Sequence, residues 1–236
     1  MDKELEVLYE DNHIIVVNKP QNIPSQGDSS EDESMLEIVK NHIKTKENKP
    51  GNVYVGLVHR LDRPTGGVMV FAKSSKAASR LTEQFKSDDV HKTYLAVVVG
   101  TPKEKSKHLV HFLKKNERDN KVDVVPQFTE GAKRAELNYE VLETKNGFSL
   151  VKVNLITGRS HQVRVQMKTI GTPVYGDQKY GGEKMPKGLL NLYAVQLVFD
   201  HPTTKEKMRF IVYPPEGTSK WNLFDIDKYL AVNRVE

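Results

Sequence analysis

The run Val68-Met69-Val70-Phe71-Ala72 constrains the fold more than any other part of this chain. It is bounded by Gly66-Gly67 on one side and by Lys73-Ser74-Ser75 on the other. A short continuous apolar run with such borders predicts a strand buried on both faces. Asp62 comes just ahead of it, between Arg60 and Arg63, on a loop that the strand would pin to the edge of a rigid sheet. Catalytic groups are often held in such places. Neighbouring guanidiniums favour the ionised carboxylate, which suits a nucleophile, a base or an anchor. On this local chemistry alone, Asp62 fits a surface ion-pair loop as well as it fits an active site.

Around that stretch the chain reads as strands and a few helices. Leu5, Val7 and Tyr9 alternate with charged residues, and Asp11-Asn12 turns into Ile14-Ile15-Val16-Val17. Asn18-Lys19-Pro20 ends that strand, because proline cannot continue a central ladder. A polar loop follows, acidic at Asp28, Glu31, Asp32 and Glu33. Ser34 and Glu37 form a capping-box pattern ahead of a helix burying Leu36, Val39 and Ile43. Ser74 or Ser75 caps a second helix with Ala77, Leu81 and Phe85 on one face. His91 to Val99 predicts another strand. Residues 103–121 carry seven Lys or Arg against three acids and little apolar periodicity, which predicts an exposed excursion or a short hairpin. Its charge suits either a phosphate backbone or plain solvation. Two strands then meet at Asn146-Gly147, a strong hairpin signal. A helix carrying Val163, Met167 and Ile170 stops at Gly171 and Pro173. Strands through Tyr193–Phe199 and Met208–Val212 follow, and the tail with Trp221, Phe224 and Tyr229 is expected to pack on the domain. Strands outnumber helices and hairpins are frequent, so the fold class is α+β with a largely antiparallel sheet.

Composition narrows the function. The chain has 236 residues, enough for a sizeable core, with 37% hydrophobic and 28% charged residues and no apolar run of membrane-spanning length. It has no cysteine, which excludes disulfides, thiolate metal sites and a thiol nucleophile. Its start lacks a secretory pattern, and a cytoplasmic setting is expected. A formal charge of +5 agrees with an anionic partner without demanding one. The glycine pair at 66–67 opens a strand rather than a helix, so it is not a phosphate-cradling loop. His108 and His111 lack a third ligand for a metal. No Gly-x-Ser-x-Gly elbow is present.

Thr157-Gly158-Arg159-Ser160-His161-Gln162-Val163-Arg164 is more informative. Arg159 falls at a strand-to-helix junction, where free backbone N–H groups favour anions. Arg159, His161, Gln162 and Arg164 add donors that could hold phosphate or a base edge. The same residues would equally suit a polar helix start facing water.

His59-Arg60-Leu61-Asp62 with Arg63-Pro64-Thr65-Gly66-Gly67 resembles the signature of the RluA-type pseudouridine synthases. Val7 to Asn12 with Val17 to Pro20 is similar to that family's opening, and Lys92 to Val97 to its tyrosine strand. Thr157 to Arg164 resembles its T-G-R-x-H-Q-[IV]-R motif. Gly176-Asp177-x-x-Tyr180-Gly181 and Leu197-x-Phe199-x-His201-Pro202 resemble later family segments. These similarities follow the family's order from about residue 7 to residue 215. They imply a single catalytic domain over residues 1–236, a mixed sheet with flanking helices and a central cleft, and no cofactor or metal. They imply isomerisation of uridine to pseudouridine in structured ribosomal or transfer RNA by a monomeric, cytoplasmic enzyme. Asp62 would be the essential aspartate, Tyr94 the aromatic residue against the uracil and Arg159 the basic partner of Asp62. Arg60 would help replace the flipped base, and Arg63, His161, Gln162 and Arg164 would contact RNA. The chain departs from the family at Pro64, where an acid is usual, at Gly66, where a small polar residue is usual, and at Tyr193, where histidine is frequent. The few residues ahead of Val7 leave no room for an S4-type RNA-binding domain, so RNA binding is expected from the catalytic domain itself. A non-catalytic RNA-binding protein on the same scaffold is the alternative. A nucleosidase acting on free nucleosides fits the basic balance less well.

Overall fold

A computed structural model describes residues 5–28, 30, 32–48, 50–87, 89–217 and 219–230. Glu31, placed in the acidic loop by its sequence, lies outside them. In chain order the strands are β1 (Val7–Glu10), β2 (Ile14–Lys19), β3 (Gly56–Leu57), β4 (Gly66–Ala72), β5 (His91–Val99), β6 (Ser106–Asn116), β7 (Lys121–Val124), β8 (Lys133–Lys145), β9 (Phe148–Leu155), β10 (Leu192–Asp200) and β11 (Lys207–Ile211). The helices are α1 (Met35–Lys46), α2 (Ser75–Lys86), α3 (Gln162–Thr169) and α4 (Asp227–Leu230), with a 3-10 turn at Lys220–Leu223. The fold is α+β and its sheet pairing is largely antiparallel, as the alternation and hairpin signals predict.

The chain divides into two compact units. The first comprises residues 1–91 and 194–212. Its strands run β1-β2-β4-β10, with β11 on β10 and β3 also on β4. All seven residues of β4 are buried, as expected of the bounded apolar run from Val68 to Ala72. β4 pairs antiparallel with β2 from Ile14↔Ala72 to Lys19↔Gly67. This ladder carries Lys19 to the foot of the Asp62 loop. α1 begins at Ser34 with the full capping box, and Met35, rather than Leu36, joins Val39 and Ile43 in the core. α2 is capped by Ser74.

The second unit comprises residues 92–193 and 213–236. It is an antiparallel sheet in the order β5-β9-β8-β6-β7. Asn146 and Gly147 form its tightest turn, both at positive φ (52° and 79°), which suits a two-residue hairpin. The basic stretch 103–121 is more ordered than its composition suggests. β6 is eleven residues long and lies between β7 and β8. Leu109 and Leu113 point inward, and Leu113 joins Val122, Ala135, Val165 and Tyr180 in one cluster. Two inward leucines are a weak periodic signal, and pairing on both edges supplies the rest. Trp221, Phe224 and Leu230 of the tail are buried. Tyr229 donates its hydroxyl to the Leu142 carbonyl, so the tail packs on this unit as anticipated.

Candidate active site

Asp62 is half-buried on the loop between β3 and β4, and the backbone on either side of it is held by the segment Lys19–Ser25. Before Asp62, the Ser25 hydroxyl accepts from Leu61 N–H at 3.1 Å and donates to Leu61 C=O at 2.7 Å. After it, Asn22 N–H donates to Arg63 C=O at 2.8 Å, and Gln21 Nε2 donates to Pro64 C=O at 2.8 Å. Thr65 N–H folds back on Asp62 C=O at 2.9 Å, closing a turn. Gly67 then enters β4 at φ +126°, and a Cβ there would lie 2.2 Å from the Ala194 carbonyl oxygen. Only glycine satisfies both conditions. His59 stacks on Phe85 of α2 at 4.4 Å, and its Nε2 accepts Val70 N–H. A carboxylate anchored on both sides is pre-positioned, which is what a catalytic acid or nucleophile requires.

Lys19 is fully buried beneath this loop. Its ammonium donates to the carbonyls of Pro20 (2.9 Å), Arg63 (3.1 Å) and Thr65 (2.8 Å), using all three of its protons. Burial pushes its pKa down to about 7, against the pull of the Asp62 negative charge and with the help of Arg63. In the sequence Lys19 marks the end of a strand within the family-like segment from Val17 to Pro20. Nothing in its spacing signals burial, because lysine is among the residues least often found inside.

The two arginines flanking Asp62 divide in their roles. Arg60 is exposed. Arg63 turns to the acidic loop, where its guanidinium meets Asp32, Asp28 at 3.6 Å and the Ser30 hydroxyl at 2.7 Å. Its charge is therefore engaged with two carboxylates of that loop.

In the second unit, Tyr94 lies on β5 opposite Val153 of β9, with 9% of its surface exposed. Arg159 is exposed, and its Nε donates to the Arg134 carbonyl on β8 at 3.0 Å. The loop leading to α3 is fastened by Gln162. Its Oε1 accepts from the Thr157 hydroxyl (2.8 Å) and Arg159 N–H (3.0 Å), while its Nε2 donates to Glu136 C=O (2.9 Å). Gln162 is buried, and both ends of its amide are bonded within the protein. Arg164 is enclosed as well. It is 5% exposed, pairs bidentately with fully buried Asp177 at 2.7 and 2.8 Å, and lies over the Tyr180 ring. His161 sits in the left-handed region (φ 53°), and its Nδ1 lies 2.7 Å from the Tyr180 hydroxyl, which also accepts Val122 N–H. The motif at 157–164 thus presents Arg159 outward, with Gln162 bracing the loop that carries it and Arg164 holding the turn at Asp177.

A family model described as RNA pseudouridylate synthase matches residues 13–169. The chain is 33% identical over 214 residues to ribosomal large subunit pseudouridine synthase C of Haemophilus influenzae, covering 88% of this chain and 64% of that protein. It is 32% identical over 237 residues to ribosomal large subunit pseudouridine synthase D of Vibrio cholerae, covering 94% and 71% respectively. This chain belongs to the RNA pseudouridylate synthase family. It spans just under two thirds of the Haemophilus relative's length. The solved structure titled human RNA pseudouridylate synthase domain containing 4 shares its fold, with a TM-score of 0.75, 24% identity and 89% coverage of each chain. Within the chain, Asp62 and the arginines beside it belong to the first unit and Tyr94 and Arg159 to the second. The matched span holds all three expected catalytic residues.

Proposed function

We propose that this protein isomerises uridines in structured RNA to pseudouridine, with Asp62 as the essential carboxylate. The observation that carries the proposal is the anchoring of the Asp62 loop through Ser25, Asn22, Gln21 and Lys19, in a chain that belongs to the family. Both relatives described above are named for the ribosomal large subunit, so ribosomal RNA is the favoured substrate, with transfer RNA the other expected class. The reaction is redox-neutral. The N1–C1′ bond of uridine breaks, C1′ bonds to uracil C5, C5 loses its proton and N1 gains one. No electron donor or transferred group is consumed. The target base must leave its stack to be reached. Tyr94 offers an aromatic face for the uracil, Arg159 an exposed cation, and Arg60 a side chain to take the place of the flipped base. Residues 1–236 would act as one catalytic domain, as a monomer in the cytoplasm.

Asp62→Asn tests the assignment. It keeps the side-chain size and the backbone bonds that hold the loop. The variant is expected to lose pseudouridine formation, read by site-resolved mapping of total RNA from cells lacking the wild-type protein. RNA affinity should survive. Undiminished modification by the variant would overturn the role of Asp62, while full rescue of a deletion phenotype without modification would favour a purely RNA-binding protein.

A further inference from the structure

Phe128 is 94% exposed, whereas the other exposed large apolar side chains among the described residues, Tyr54, Val110 and Val124, range from 37% to 49%. It does not sit on a loose strand of chain. Thr129 N–H bonds to Pro126 C=O at 3.0 Å, so Phe128 occupies the third place of a closed turn. Ala132 N–H bonds to Thr129 C=O at 3.0 Å, closing a second turn with Gly131 at φ +75°. Two consecutive turns hold the ring out in water. Neither needs an aromatic residue, since turn chemistry favours Gly, Pro, Asn, Asp and Ser.

The loop's surroundings say what the ring would meet. Residues 103–134 hold nine Lys or Arg against five acids, so they supply +4 of the chain's formal +5. Lys114, Lys133 and Arg134 are exposed around the root of the loop, and Lys114 Cε lies 3.9 Å from the position of a Cβ on Gly131. The root is also continuous with the candidate site. Val125 N–H donates to Phe112 C=O at 2.8 Å, Phe112 pairs with Arg134 across β6 and β8, and the Arg134 carbonyl holds the Arg159 side chain. A flat ring without polar atoms, set among exposed cations, matches the way single-stranded nucleic acid is held: phosphates on Lys and Arg, an unstacked base on an aromatic face. Phenylalanine offers no donor or acceptor, so it would grip without reading sequence.

We propose that Phe128 stacks on an unpaired base of the RNA outside the target uridine, with Lys114, Lys133 and Arg134 on neighbouring phosphates. The proposal rests on the RNA-modifying reading above.

Phe128→Ala and Phe128→Trp test it in the full chain, through binding to a single-stranded oligouridine carrying one fluorescent aminopurine and to an RNA duplex of equal length. Phe128→Ala should bind the single strand about tenfold more weakly. Phe128→Trp should restore that affinity, and the duplex should be held equally by all three proteins. Unchanged single-strand affinity in Phe128→Ala, or an equal loss on the duplex, would overturn the proposal. So would a change of oligomeric state in sedimentation with RNA affinity intact, which would make Phe128 a protein contact. Failure of the RNA-modifying reading itself would show separately, as wild-type protein that forms no pseudouridine.

Discussion

Replacing Arg164 separates a brace from an RNA contact. Its guanidinium is 5% exposed and forms two bonds to Asp177, whose carboxylate is fully buried and also accepts the backbone N–H groups of Lys179 and Tyr180 at 3.0 and 3.1 Å. Arg164→Met keeps much of the side-chain volume but leaves that carboxylate without its cation. Breaking a buried ion pair by removing one partner costs about 3–5 kcal/mol. In a domain of this size each kcal/mol lowers Tm by roughly 2–4 °C, so a fall of roughly 6–20 °C is expected. Adding Asp177→Asn should recover a large part of the loss, because asparagine keeps an acceptor for the two N–H groups and carries no charge. Thermal unfolding followed by circular dichroism reads both variants, and oligouridine binding below the transition reads the other role. Arg164→Met should bind RNA as the wild type does. A variant that melts with the wild type but binds RNA weakly would refute the internal role and return Arg164 to the RNA-contacting surface.

Lys19→Met removes the three bonds to the carbonyls of Pro20, Arg63 and Thr65. Loosening the Asp62 loop should slow C5 proton release from tritiated uridine RNA about 100-fold, the scale expected of a misplacement near 1 Å. Stability should change less than activity, because the net fall of the pKa from 10.5 to about 7 means the site disfavours the charged ammonium it holds. Between pH about 7 and 10.5 the unfolded state binds more protons at Lys19 than the folded state does, so its contribution to stability rises with pH. Urea titrations of Lys19→Met should lack that rise. At the acid end, burial would raise the Glu10 pKa, but bonds from Lys46, Lys73 and His42 outweigh it and bring it to about 2. The stability this confers is complete above pH 4.5 and is lost as pH falls toward about 2. Glu10→Gln should unfold with a flatter pH dependence across that window, and an unchanged slope would exclude the network as its source.

Much of the fold is legible in local pattern. The capping box at Ser34 and Glu37, the Asn146-Gly147 turn and the bounded apolar run at β4 each encode their element within a few residues, and each forms where the pattern places it. β6 was less legible, because its inward face shows only Leu109 and Leu113 and its length follows from strands on both edges. The candidate site divides in the same way. Asp62, Tyr94 and Arg159 could be named from motif and order. Lys19 and Ser25 could not, because their roles depend on carbonyls some forty residues further along the chain. Gln162 and Arg164 read as RNA donors from their chemistry, while the fold encloses both.

The sequence by itself determined the family and the strand-rich class and named Asp62 as the candidate acid, because these depend on residue identity and near-neighbour spacing. Tertiary structure decided which polar groups face water and which are enclosed. A donor's chemistry is the same in both places. Its partners are set by the long-range ladder that brings Lys19 opposite Gly67, beneath the turn that carries Asp62. The opening apolar run thus does more than form a buried strand: it supplies the rigid edge against which a lysine, a serine and a glycine hold one aspartate in place.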